Sequence, residues 1–241
     1  MQYVTLGKTG LQVSRLGLGG IPIQKADVKR AKELLERMVQ KGMNYIDSAR
    51  GYTVSEDYLG QALEGLRDKF ILATKSMART KQAMQQDIEI SLRNFRTDYI
   101  DLYQCHNPSL KDLEVFCGPG GGLEALLEAK ERGKIRHLGL TAHSAGVFEK
   151  ALELDWVGTI MFPYNIVESQ GEALIQACRQ KNVGFIAMKP LAGGAIENPD
   201  LAIRYIFSNP NVTLVIPGMY TLEELEQNFA AAEDAQGLSK E

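Results

Sequence analysis

Four residues in the first half of the chain could together move a proton onto a carbonyl oxygen: Asp47, Tyr52, Lys75 and His106. A carbonyl that accepts hydride develops negative charge on oxygen and needs a proton donor and electrostatic support. A tyrosine hydroxyl, with an ordinary pKa near 10, is a poor acid unless its phenolate is stabilised. A lysine ammonium a few ångströms away would do that by favouring the charged form. Asp47 would keep Lys75 charged and oriented, and His106 would hydrogen-bond the carbonyl oxygen. Any one of these residues alone reads as an ordinary solvated or salt-bridged side chain.

Their positions become meaningful once the elements are placed. Apolar runs alternate with amphipathic stretches along the whole chain. A hairpin is expected first, from Tyr3–Leu6 and Leu11–Val13 around Gly7-Lys-Thr-Gly10. Strands follow at 15–19, 44–47, 70–74, 100–103, 137–140, 159–162, 183–188 and 212–216. Helices are expected after each: one capped by Asp27 with Val28, Ala31, Leu34, Leu35 and Met38 on one face, then 58–63, one burying Met84, Ile88, Leu92 and Phe95, then 123–130, 147–154, 173–180, 201–207 and 222–233. Strict alternation implies a parallel sheet, and eight units imply closure into a (β/α)8 TIM barrel spanning 1–241 as a single domain. The segment Gly17-Leu-Gly19-Gly20 lacks the spacing of a dinucleotide-binding glycine turn, which excludes a doubly wound sheet. In such a barrel, catalytic groups sit where strands end. Asp47, Lys75 and His106 end the second, third and fourth strands, and Tyr52 lies in the loop after the second.

The 241 residues carry a net charge of −3, which excludes the basic footprint of a nucleic-acid binder. No apolar run is long enough to span a membrane. Cys105, Cys117 and Cys178 are scattered and odd in number, so neither a metal site nor a disulfide framework is expected, and the reducing cytoplasm is the simplest compartment.

The motifs carry a resemblance over nearly the full length. Asn44-Tyr-Ile-Asp-Ser-Ala-Arg-Gly-Tyr52 with Ser55-Glu-Asp-Tyr-Leu-Gly60, then Ala73-Thr-Lys75, Asp98-Tyr-Ile-Asp-Leu-Tyr-Gln-Cys-His106, Gly133-Lys-Ile-Arg-His-Leu-Gly139 and Ile216-Pro-Gly218 resemble, in order, the blocks of the aldo-keto reductase family. The resemblance implies a catalytic tetrad of Asp47, Tyr52, Lys75 and His106, and reduction of a small-molecule aldehyde or ketone by a monomer or weak oligomer. It implies a nicotinamide dinucleotide over the barrel mouth, touching Gly20, Asp47, Thr141, His143, Met161, Met188, Lys189, Pro190, Leu191 and Gly193. The adenosine end would reach Gly218, Met219, Glu224, Gln227 and Asn228. Family habit favours NADP(H) slightly over NAD(H).

Several positions depart from the family pattern. Thr141-Ala142 replaces the usual Ser-Asn pair, Met161 the usual glutamine and Met188 the ring-stacking tyrosine. Gly218 and Glu224 stand where many relatives place Lys and Arg, and a carboxylate there weighs toward NAD(H). Glu224 also completes a capping box with Thr221. The segments Met188–Gly194 and Gly118–Gly122 resemble a branch that often carries a cysteine-rich iron–sulfur segment, which this chain, ending at Glu241, does not contain. The usual long C-terminal substrate loop is missing as well, so an open, weakly selective pocket is expected. Two other readings stand beside the reductase: a Schiff-base enzyme using Lys75 or Lys189, and a nucleotide-binding barrel with little turnover that serves as a regulatory or redox-sensing subunit.

Overall fold

The computed structural model describes residues 1–233; of the expected domain span 1–241, residues 234–241 lie outside the described ones. Strands β1 (Tyr3–Thr5) and β2 (Gln12–Ser14) form the N-terminal antiparallel hairpin, with Val4 opposite Val13. Eight short strands then form one parallel sheet in chain order: β3 (Leu18–Gly19), β4 (Tyr45–Asp47), β5 (Ile71–Ser76), β6 (Ile100–His106), β7 (Ile135–Thr141), β8 (Thr159–Pro163), β9 (Gly184–Met188) and β10 (Leu214–Val215). Parallel bridges Leu16–Val215 and Gly19–Gly218 bring the last strand beside the first, so the sheet curls into a (β/α)8 barrel.

Leu6 and Val13 of the hairpin enter the barrel from below and join Tyr45, Ala73, Leu102, Met161, Ile186, Leu214 and Ile216 in an interior cluster. Gly7 makes this fit: its φ is +52°, and a Cβ there would stand 2.2 Å from the backbone nitrogen of Gly184.

The outer ring is α1 (Val28–Gln40), α2 (Ser55–Ala62), α3 (Lys81–Phe95), α4 (Leu110–Cys117), α5 (Gly122–Glu131), α6 (Ala145–Ala151), α7 (Glu172–Gln180), α8 (Pro199–Ser208) and α9 (Leu222–Glu233). Asp27 caps α1 by accepting from Arg30 N at 2.8 Å, and Ala31, Leu34, Leu35 and Met38 are its buried face. Two differences from the sequence expectation matter. Strand β6 is followed by two helices rather than one, because Ser109 and Asp112 form a capping box that starts α4, and Gly118–Gly121 breaks the chain before α5. Strands β5 and β6 also run further than the expected 74 and 103, to Ser76 and His106, so Lys75 and His106 pair within the ladder itself.

The register of that ladder positions the mouth. Lys75 stands beside Gln104, Gln104 beside Gly139, and His106 beside Thr141. Helix α2, which follows the Tyr52 loop, lies so close to α3 that a Cβ on Gly60 would meet Asn94 O at 2.0 Å and Phe95 Cα at 2.6 Å. Overpacking of this kind typically costs about 1–3 kcal/mol. Gly60→Ala is therefore expected to lower the melting temperature by roughly 2–12 °C. Gly146→Ala in α6, where the new Cβ meets only Ser144 Oγ at 3.9 Å, should leave it equal or raise it. Thermal melts of the two variants check this ordering.

Candidate active site

Strand β4 ends on Asp47, whose carboxylate is buried. Lys75 on β5 reaches across, and its ammonium donates to Asp47 Oδ2 and to Ser48 O, the latter at 2.7 Å. Gln104 on β6 donates from Nε2 to Asp47 Oδ1 at 3.1 Å. Both carboxylate oxygens thus accept hydrogen bonds, the pattern of an ionised group. Burial alone would lower the Lys75 pKa, but the Asp47 carboxylate and the Tyr52 phenol outweigh it and hold the ammonium charged.

Tyr52 lies over this pair. Lys75 Nζ is 4.7 Å from the centre of its ring, and the His106 ring is edge-on to it at 6.1 Å. The loop that carries Tyr52 is braced at both ends. Tyr52 N donates to Ala49 O, and its carbonyl accepts from Ser55 N at 2.7 Å. Ser55 Oγ in turn donates to Gly20 O at 2.9 Å. Beneath the loop, the buried Glu56 carboxylate accepts from Arg50 at 2.8 Å, Thr74 at 2.7 Å, Ser91 at 2.8 Å and Asn94 at 3.1 Å. One carboxylate therefore ties α2, β5 and α3 to the loop.

The sequence led to an acidic phenol, and the structure corrects this. Burial raises the Tyr52 pKa and Asp47 raises it further, so the downward pull of Lys75 is outweighed. Tyr52 keeps its proton well past neutrality. His106 moves the other way, down to about 3, through burial first and then the charges of Lys75 and Arg79. Its imidazole is neutral across the physiological range. Its Nδ1 is sealed from solvent with no hydrogen-bond partner among the described residues, which leaves Nε2 as the nitrogen free to meet a ligand. Arg79 fixes the strand end by donating to His106 O at 2.8 Å.

The other residues singled out in the sequence fall into three groups. Thr141 is buried beside His106, with Oγ1 accepting from Asn107 N at 2.9 Å. His143 and Lys189 are exposed beyond the ends of β7 and β9, two strands separated by β8, with Lys189 in the left-handed region at φ +55°. Met188 is half-buried against the interior cluster, Pro190 is buried, Leu191 is half-buried and Gly193 turns at φ +69°. In the second group, near the start of α9, Gly218 is open, Gln227 is exposed and Asn228 is buried. Asn228 donates to Glu224 O at 2.8 Å, while its Oδ1 is sealed without a partner among the described residues. Glu224 Oε2 accepts from Tyr220 N at 2.9 Å and Thr221 N at 3.1 Å, the capping box its sequence implied. The third group does not line the mouth: Met161 and Met219 are fully buried core residues, and Gly20 is pinned by its N–H to Asp47 O at 2.7 Å.

Sequence reasoning missed Gln104 and the Glu56 network. Gln104 stands two residues before His106 on one strand, and residues two apart share a face; that spacing was the available signal.

The sequence profile described as "Aldo/keto reductase family" matches residues 15–200. The chain belongs to the aldo/keto reductase family. It is 25% identical to an uncharacterized oxidoreductase, YqkF, of Bacillus subtilis, over all of this chain and 94% of that one. It is 26% identical to L-galactose dehydrogenase of Arabidopsis thaliana, over 97% of this chain and 88% of that one. Among solved structures, the holo form of aldo-keto reductase AKR11C1 from Bacillus halodurans superposes with a TM-score of 0.87 at 25% identity, covering 99% of this chain and 93% of that one.

Aldo-keto reductases use nicotinamide cofactors, and the residues at this mouth fit one. Thr141 is a buried hydroxyl, Lys189 an exposed cation and Asn228 Oδ1 a buried acceptor lacking a donor.

A neutral His106 has a consequence that can be measured. Its folded pKa lies below that of the unfolded chain, so the unfolded state takes up the proton first as pH falls. Its contribution to stability is complete above about pH 6.5 and is lost between there and about pH 3. NMR titration of the imidazole should show no protonation above about pH 5, and His106→Asn should flatten the acid limb of the stability profile.

Proposed function

We propose that this chain is an NAD(P)H-dependent carbonyl reductase, converting aldehydes or ketones to alcohols with Tyr52 as the proton donor. The observation that carries the reading is the contact set Asp47–Lys75–Tyr52–His106, gathered from three successive strand ends and one loop.

Reduced nicotinamide supplies a hydride to the carbonyl carbon when bound. The protein's part is to hold and protonate the carbonyl oxygen. Tyr52 O–H and the neutral His106 are the two groups that would receive that oxygen. As it becomes an alkoxide, a base far stronger than phenolate, the Tyr52 proton moves to it. A high pKa therefore does not prevent Tyr52 from donating, and it ensures that the proton is present when needed. Lys75 stabilises the resulting phenolate, and Asp47, gripped by Gln104, keeps Lys75 in place and charged.

The same geometry argues against a Schiff-base role. Lys75 would need a free lone pair, but its pKa is raised and two of its N–H groups are committed to Asp47 and Ser48. A barrel serving only to bind nucleotide would have no use for a buried ion pair beneath a tyrosine.

The cofactor would rest on Thr141, His143, Met188, Lys189, Pro190, Leu191 and Gly193, with its adenosine end toward Gly218, Glu224, Gln227 and Asn228. We place NAD(H) ahead of NADP(H), the reverse of family habit. The start of α9 is already filled by the Glu224 carboxylate, and a 2′-phosphate beside it would meet like charge. A cytoplasmic protein, monomeric or weakly associating, completes the reading; among the described residues no helix is long and apolar enough to cross a membrane.

Tyr52→Phe should cost roughly 10²- to 10⁴-fold in carbonyl reduction while nucleotide affinity is unchanged. An unaltered rate, with hydride transfer limiting, would refute the role. In the wild type, kcat for reduction should be flat over about pH 6–9 and fall as pH rises through the Tyr52 pKa, above 10.0.

A further inference from the structure

The end of the barrel opposite Tyr52 contains a cavity of about 500 Å³, between the β1–β2 hairpin and the turns that lead into β9 and β10. Its walls hold two guanidiniums, Arg15 and Arg179, and three carboxamides, Gln2, Asn182 and Asn211, with no Asp or Glu among the described residues that line it. Elsewhere in the fold, Arg37, Arg50, Arg67 and Arg136 each meet a carboxylate. Arg15 meets none among the described residues, although it is half-buried. Its guanidinium lies 4.4 Å over the Phe207 ring and donates to Val212 O at 3.3 Å and Gln2 Oε1 at 3.5 Å. Burial pulls its pKa down, the mark of a charge without a counterion. Arg179 on α7 and the side-chain amides of Asn182 and Asn211 have no partner among the described residues.

We propose that this cavity binds a phosphate dianion, free or as the monoester of a small metabolite. A phosphate offers several strong acceptor oxygens to a cluster of donors that meets no carboxylate among the described residues, and guanidinium forks match its geometry. The cavity is larger than one phosphate, and Val4, Pro210 and Val212 provide an apolar wall for an ester's organic part. No residue there suggests bond-making, so the site is one of binding. Its location gives occupancy a structural effect. Arg15 precedes β3 and Val212 precedes β10, and here the barrel closes through Val215 N to Arg15 O and Gly17 N to Val215 O, each at 2.9 Å. A ligand held by both sides ties this seam.

The test is calorimetric titration of the full chain with inorganic phosphate and with phenyl phosphate, at constant ionic strength set by chloride and with NADH in excess to keep the mouth filled. One saturable site is expected. Arg179→Gln and Asn211→Asp, both on the surface of the cavity, should weaken it by roughly 10- to 100-fold with carbonyl reduction unchanged. At about ten times Kd the ligand should raise the melting temperature by roughly 3–6 °C. Tighter binding of phenyl phosphate assigns the site to monoesters, and equal affinity assigns it to free phosphate. No saturable binding of either probe, or equal affinity in both variants, would overturn the proposal.

Discussion

The ion pair between Asp47 and Lys75 is the constraint around which the mouth of this barrel is arranged. Taking two charges out of water costs several kcal/mol per ion, and both side chains are almost wholly buried. The cost is offset by the mutual attraction and by further hydrogen bonds, from Gln104 to the second carboxylate oxygen and from the ammonium to the Ser48 carbonyl. These partners come from adjacent strands, so the pair depends on the ladder register that sets Lys75 beside Gln104. An ammonium fixed in this way then acts on whatever lies above it. Tyr52 does, carried by a loop that Glu56 and Ser55 tie to the strands on either side.

Two opposing fields set the protonation states above the pair. Burial alone would keep Tyr52 protonated and His106 neutral, and the ammonium strengthens the second effect while weakening the first. The result is a donor that holds its proton until a strong base forms beside it, and an uncharged imidazole that can donate one hydrogen bond without bringing charge. Residue type already favours both states at neutral pH. The wide margin by which each is held follows from where the strands end and how little water reaches them.

Much of the architecture was legible in the sequence because a parallel barrel strand is buried on both faces and reads as a short apolar run. The strand-end rule then singles out Asp47, Lys75 and His106 from the sequence alone. What was not legible was tertiary. Helix α4 begins at a capping box, Ser109 to Asp112, whose signal is carried by two polar residues ahead of a short segment. Met161 looked like a residue that could face a ring, yet its side chain joins Leu102 and Ile186 inside the barrel, because alternation along β8 turns it inward. The sign of the Tyr52 shift needed the burial of its ring, a sum over neighbours from several elements. Gln104 was passed over because a glutamine in an apolar strand carries no chemistry of its own; its role exists only through Asp47.

The central claim is that Asp47 acts through Lys75 rather than beside it, and a double-mutant cycle on single-turnover hydride transfer tests it most directly. Asp47→Asn and Lys75→Met are compared alone and combined, with a saturating nucleotide and one aldehyde. Residues that work as one unit are strongly non-additive, so the double variant should lose about as much rate as Lys75→Met alone. A loss equal to the product of the two single losses would show independent contributions and contradict the account.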